Sequence, residues 1–158
     1  MATISINSNN KIHIIKLIKF YKILEDKIKI KPILYGSLAY FIYTKDNTIK
    51  INDLDFLIRE NAFKKIIKFL EKSKIKYHYS KEWHTLQVFK GKLKIEFDSI
   101  DFWQKNLSIK FQTVTINNAP IKVITLNNLI AIYKKASKVS KDKPKQNMNK
   151  YLKLKLCQ

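Results

Sequence analysis

The chain has 158 residues, of which 46% are apolar, with two glycines, three prolines and one cysteine. That content excludes a disordered or collagen-like chain, and the lone Cys157 excludes a disulfide framework or a cysteine-cluster zinc site. The formal net charge is +20, and every basic residue except Arg59 is a lysine.

Lysine, isoleucine and asparagine have A/T-rich codons, so genome composition accounts for part of this excess. The remainder suits a polyanionic ligand, and a nucleotide is favoured over a long nucleic acid. No apolar run approaches the ~20 residues of a membrane span. Met1 to Asn10 is polar and lacks the apolar stretch of a secretory signal. The expectation is a soluble, cytoplasmic protein without a membrane partner. The expected organisation is a flexible tail over 1–10 and one domain over 11–158, with a core over about 30–124 and C-terminal helices over about 125–156.

Between Lys11 and Lys29 the apolar positions Ile14, Ile15, Ile18, Tyr21, Leu24 and Ile28 fall on a helical stripe. Lys31-Pro32 breaks it, and Ile33 to Tyr35 reads as a short buried strand. Gly36-Ser37 ends that strand and a helix follows over Leu38 to Tyr43. After a polar loop over Thr44 to Lys50, Ile51 to Ile58 is a strand with Leu54, Phe56 and Ile58 alternating against Asp53 and Asp55. Asn61 is placed to cap a helix carrying Phe63, Ile66, Ile67 and Leu70. Strands follow over Ile75 to Tyr79, Thr85 to Phe89 and Leu93 to Ile100, the last two joined through Lys90-Gly91-Lys92 as a hairpin. Ile109 to Ile116 and Ile121 to Ile124 are further strands. Thr125 opens a helix with Leu126, Leu129, Ile130 and Tyr133 on one face, and another helix runs through Met148, Tyr151, Leu152 and Leu156. The order predicts an α/β (α+β) mixed sheet with helices packed on it, early strand–helix–strand units being of the parallel type.

Acidic residues number only twelve. Five gather at strand ends: Asp53, Asp55, Glu96, Asp98 and Asp101. Alternation puts Asp53 and Asp55 on one face of their strand, and Glu96 and Asp98 on one face of theirs. Crowded carboxylates repel unless a cation joins them, and hard oxygen ligands suit Mg²⁺. Pairing with lysines on a solvated sheet face is the competing reading. A glycine after a strand lets backbone approach a ligand, and a serine opening a helix offers its hydroxyl and N–H groups to phosphate. His13, His78 and His84 have no zinc spacing. Tyr77, Tyr79, Trp83 and His84 read as aromatic packing of the sheet core before a base-stacking platform.

Taken together, these segments resemble the nucleotidyltransferase superfamily related to DNA polymerase beta, especially its minimal and lincosamide or aminoglycoside members. Tyr35-Gly36-Ser37 is similar to that family's Gly-Ser motif. Asp53-Leu54-Asp55-Phe56 is similar to its paired-acid motif, and Ile95-Glu96-Phe97-Asp98 to its third acidic strand. The resemblance implies a nucleotidyltransferase-like fold in which Gly36 and Ser37 grip the triphosphate of an NTP donor. It implies that Asp53 and Asp55 bind two Mg²⁺ ions with a third acid, Glu96 or Asp98. Lys135 and Lys141 are candidates for neutralising phosphate. The implied reaction moves a nucleoside monophosphate onto a hydroxyl of a small molecule or protein and releases pyrophosphate. The alternatives are a nucleotide- or RNA-holding module without chemistry and an antitoxin-type partner protein.

Overall fold

The computed structural model of the chain describes residues 8–104, 107–139 and 143–158. Helix α1 (Ser8–Ile23) continues into one π-helical turn over Leu24–Ile28, which stops where Lys29 adopts a left-handed φ of 60°. Then follow β1 (Ile33–Tyr35), α2 (Gly36–Thr44), β2 (Asp53–Ile58) and α3 (Ala62–Lys72). Strands β3 (Tyr77–Ser80), β4 (Thr85–Lys90) and β5 (Leu93–Ser99) lead to α4 (Ile100–Gln104). The hairpin β6 (Phe111–Ile116) and β7 (Ala119–Ile124) precedes α5 (Leu126–Val139) and α6 (Pro144–Lys155). Each strand expected from the sequence is present, with its ends shifted by at most two residues. Asn61 precedes α3, yet its side chain makes no capping hydrogen bond.

The described strands form one mixed sheet in the order β3-β4-β5-β2-β1-β7-β6. One expectation fails here. The segment β1–α2–β2 is not a parallel unit, because β1 and β2 run antiparallel, with Tyr35 opposite Asp55. The polar stretch from Lys45 to Asn52 is long enough to bring the chain back to the end where α2 started. The parallel pairs are instead β2 with β5 and β1 with β7.

Alternation then sorts the two sheet faces. Leu54 and Phe56 lie in register with Ile95 and Phe97, and all four are fully buried. Phe56 stacks on Phe97 at 5.6 Å between ring centroids, and Tyr21 of α1 closes on Phe56 at 6.4 Å. Phe20 lies 6.1 Å from Phe97, and Phe63 of α3 lies 5.4 Å from Tyr79. Apolar burial on this face, by α1 and α3, is what fixes the register of β2 against β5, since a one-residue slip would turn Phe56 outward. The opposite face therefore has no choice but to carry Asp53, Asp55, Glu96 and Asp98. No described helix is long and apolar enough to cross a membrane.

Removing the ring at the centre of this stack tests the assignment. Phe56→Ala should cost about 3–5 kcal/mol in denaturant unfolding. A loss below about 1 kcal/mol would mean that the aromatic layer does not set the sheet.

Candidate active site

Gly36 sits at the junction of β1 and α2 with a left-handed φ of 68°. A Cβ placed on it would lie 2.0 Å from Oδ2 of Asp55 and 2.8 Å from its Cβ. No side chain fits there, so the glycine is required twice, for its backbone conformation and for contact with the carboxylate. The antiparallel pairing found above produces this contact, because it sets Tyr35 beside Asp55. Ser37 opens α2 one residue later.

On β5, Glu96 is in register with Asp55, and Asp98 with Leu57. The two acids have different surroundings. Both oxygens of Asp98 accept hydrogen bonds, Oδ2 from the hydroxyl of buried Tyr35 and Oδ1 from Thr85 at 2.6 Å. Glu96 accepts from the Gln87 amide at 2.8 Å and pairs with Lys94 at 2.9 Å. It also lines a groove of about 330 Å³ with His78, Ser80, Trp83, Thr85 and Gln87. Asp98 is held beneath that groove, and Glu96 borders it. Asp101 lies elsewhere and pairs with Arg59 at 3.0 Å.

Negative charge is poorly compensated at this face. Asp55 is pushed well above the usual carboxylate range, first by burial and then by Asp53, Glu96 and Asp98, with Lys94 opposing. Asp98 is raised to about 6, chiefly by burial, against the lowering effect of its bonds from Thr85 and Tyr35. Tyr35 is raised well above its ordinary value by burial and by the Asp98 and Asp55 charges. These donors are all hard oxygens, and their mutual repulsion is of the kind a divalent cation relieves. In chemistry and charge the residues fit such an ion. Among the described residues, no three acidic, histidine or cysteine side chains stand close enough together to hold one as they are.

Besides Lys94, a cation from the far end of the chain reaches this region, and the sequence does not single it out. Lys150 of α6 donates to Oγ of Ser37 at 3.1 Å and lies over the rings of Tyr133 and Tyr40, at 5.2 and 5.8 Å. Burial lowers its affinity for the proton, while Asp55 and Asp53 raise it. A second lysine, Lys153, fastens α6 by pairing with Asp46 at 2.7 Å. Lys135 is exposed on α5, and Lys141 lies outside the described residues. Lys150 could have been suspected from its place on a helix following α5. In a chain with a lysine at one position in five, nothing singled it out. The expected aromatic packing also divides. Tyr79 packs on Phe63 and His84 stacks on Phe102 at 5.4 Å, but Trp83 is 65% exposed at the lip of the groove.

No family model matches the chain, and no curated protein sequence does. Solved structures do match. The lincosamide antibiotic adenylyltransferase LnuA, bound to lincomycin, is 12% identical with a TM-score of 0.61, over 97% of this chain and 99% of its own. The antibiotic-resistance factor ANT(2'')-Ia, in complex with adenylyl-2''-tobramycin, is 13% identical with a TM-score of 0.65, over 89% and 86%. An antigenic nucleotidyltransferase-like protein from Paracoccidioides brasiliensis is 12% identical with a TM-score of 0.61, over 94% and 77%. The chain has the nucleotidyltransferase-like α/β fold that its motifs suggested.

Two outcomes follow from this geometry. Gly36→Ala should disrupt the contact with Asp55 and lower the melting temperature, whereas Gly91→Ala, where a Cβ meets no atom within 4 Å, should cost only its left-handed conformation. Equal losses would remove Gly36 from its assigned role. The second outcome concerns pH. The carboxyl of Asp98 rises from 3.8 to about 6 on folding, so the folded state holds this proton more tightly than the unfolded chain. Its contribution is fully present below pH 3.8 and declines as pH rises to about 6. Above that it levels off, having lost at most about 3 kcal/mol. Asp98→Asn removes this decline. Its stability gain over wild type, measured without metal, should grow between pH 4 and pH 7 and then stay flat. A gain independent of pH would show that Asp98 does not carry the cost.

Proposed function

We propose that the chain is a nucleotidyltransferase that moves a nucleoside monophosphate from a nucleoside triphosphate onto a hydroxyl of an acceptor. One observation carries this reading: a glycine turn with no room for a side chain packs on Asp55, on a sheet face with three further carboxylates, beside a serine that holds a lysine. That arrangement puts a phosphate-binding turn and an acidic surface within reach of one triphosphate.

Gly36 and Ser37 receive the phosphates with their backbone N–H groups and the serine hydroxyl, and Lys150, bonded to that hydroxyl, offsets phosphate charge beside them. Asp53, Asp55 and Glu96 would hold the two Mg²⁺ ions, which when bound neutralise the triphosphate and stabilise the attacking and leaving oxygens. The acceptor oxygen forms its bond to the α-phosphorus while the bond from that phosphorus to pyrophosphate breaks. The hydroxyl proton passes to a carboxylate. We assign this role to Glu96, which borders the groove. Asp98 is a positioning residue, held by Tyr35 and Thr85.

Among the described residues, no lysine or arginine lines the acceptor groove, in a chain of charge +20. Its polar groups and one exposed indole suit a neutral or cationic molecule bearing hydroxyls, and its volume is at the low end for small-molecule sites. Lincomycin and adenylyl-tobramycin in the solved neighbours support a small-molecule acceptor. The reading that competes is a nucleotide-holding module without turnover, favoured by the carboxylates not being drawn together.

The experiment supplies each of the four NTPs with MgCl₂ and hydroxyl acceptors, including lincomycin and tobramycin, and measures pyrophosphate. Release should require magnesium and fall at least about a hundredfold in Asp55→Ala, in line with loss of a charge-stabilising group. Nucleotide binding without release, unchanged by that substitution, would establish the holding module instead. Lys150→Ala should raise KM for the nucleotide more than it lowers kcat. A loss confined to kcat would count against a ground-state phosphate contact.

A further inference from the structure

A second groove, at the far end of the sheet from the Gly36 turn, has the opposite charge character. It runs past the start of β1, the end of β2 and the side of β7, with a volume of about 370 Å³. Lys29, Lys31, Arg59, Lys65 and Lys122 line it, and among the described residues no acidic one does. Five of fourteen lining residues are therefore basic, against 32 of 158 in the chain. Lysine is common over the whole surface of this chain, and what marks this groove is that five cations share one concave surface with no acid among its described lining residues. Two of the cations have acid partners: Lys31 pairs with Glu25 at 2.6 Å and Arg59 with Asp101 at 3.0 Å.

Phe111, 46% exposed, also lines this groove. The Lys122 ammonium stands 4.4 Å from its ring centre. The ammonium thus covers one face of a ring that stays 46% exposed within a concave basic surface, and a base would stack on the uncovered part of that ring. The residues that carry them sit on or next to regular elements. Lys122 lies opposite Thr113 on the β6–β7 hairpin, Arg59 follows β2, and Lys65 lies on α3.

We propose that this groove binds single-stranded nucleic acid, with phosphodiester groups along the lysines and a base stacked at Phe111. Such strands are bound by a positively charged track combined with aromatic platforms, and every base presents a face that can stack. An inorganic anion would use the charge but has no use for the ring. The bound strand lies away from the carboxylate face and needs neither nucleotide turnover nor magnesium, so this inference stands apart from the reading of the catalytic site.

The test is fluorescence anisotropy of a labelled short oligouridylate with the full chain, at about 150 mM salt. Binding should saturate and weaken steeply with salt. Replacing Lys29, Lys65 and Lys122 together by glutamine should weaken it by about tenfold or more and flatten the log–log salt dependence by about 2, at ~0.7 per lost phosphate contact. A control replaces Lys11, Lys72 and Lys138, exposed on three different helices, with the same change in net charge. It should shift affinity less than about twofold, a response to long-range charge alone. Phe111→Ala, a separate variant, should weaken binding about fivefold or more, in line with loss of one stacking contact. Thermal melts confirm that each variant is folded. Equal losses in the site and control triples would overturn the proposal in favour of diffuse charge. So would an absence of binding. Displacement by polyglutamate with no effect of Phe111→Ala would overturn it too, and assign the groove to an acidic protein surface.

Discussion

The contact between Asp55 and the backbone at Gly36 is the constraint on which the rest of the site depends. It joins two segments whose positions are otherwise set independently. Asp55 is placed by the apolar register of β2 against β5, and Gly36 by the end of β1. Antiparallel pairing of β1 with β2 brings them together, and absence of a side chain lets them touch. Ser37 and the start of α2 then have a fixed position above the acids.

Placing four carboxylates on one face of a sheet works against folding. Asp55 and Asp98 are both pushed toward their neutral forms, mainly by burial. A domain with only modest net stability feels a cost of this size. The aromatic layer on the reverse face, with Phe56 and Phe97 at its centre, offsets it with well-packed apolar surface. The two faces of β2 thus have opposed effects on stability, and one strand with alternating side chains carries both. Charge is divided on a larger scale as well. Among the described residues, the groove beside Glu96 is lined by no lysine, while the groove at the other sheet end is lined by no acid.

Much of this was legible in the sequence because period-two alternation in β2 and β5 fixes which residues share a face, whatever the topology. The Gly-Ser turn and paired acids were readable for the same local reason. What escaped was non-local. The direction of β2 relative to β1 depends on the path of the loop from Lys45 to Asn52, and alternation is unaffected by strand direction. Glu96 stands between two apolar residues and Asp98 is followed by Ser99, a difference that does not choose between them, and it is the packing of Tyr35 and Thr85 that separates them. Lys150 resembles thirty other lysines until α6 docks. Aromatic residues near strands usually pack in the core, but Trp83 stands in the turn between β3 and β4, where alternation no longer applies.

The hydrogen bond from Lys150 to Ser37 spans 113 positions of the chain. During synthesis the glycine turn and its acids emerge from the ribosome long before the lysine that faces them. A nascent chain halted ahead of α6 would display the acidic strands with Lys94 beside them but without the lysine that bonds to Ser37. Maturation of the pocket is therefore tied to the docking of a helix translated far downstream, and the clasp between Lys153 and Asp46 seals that final step.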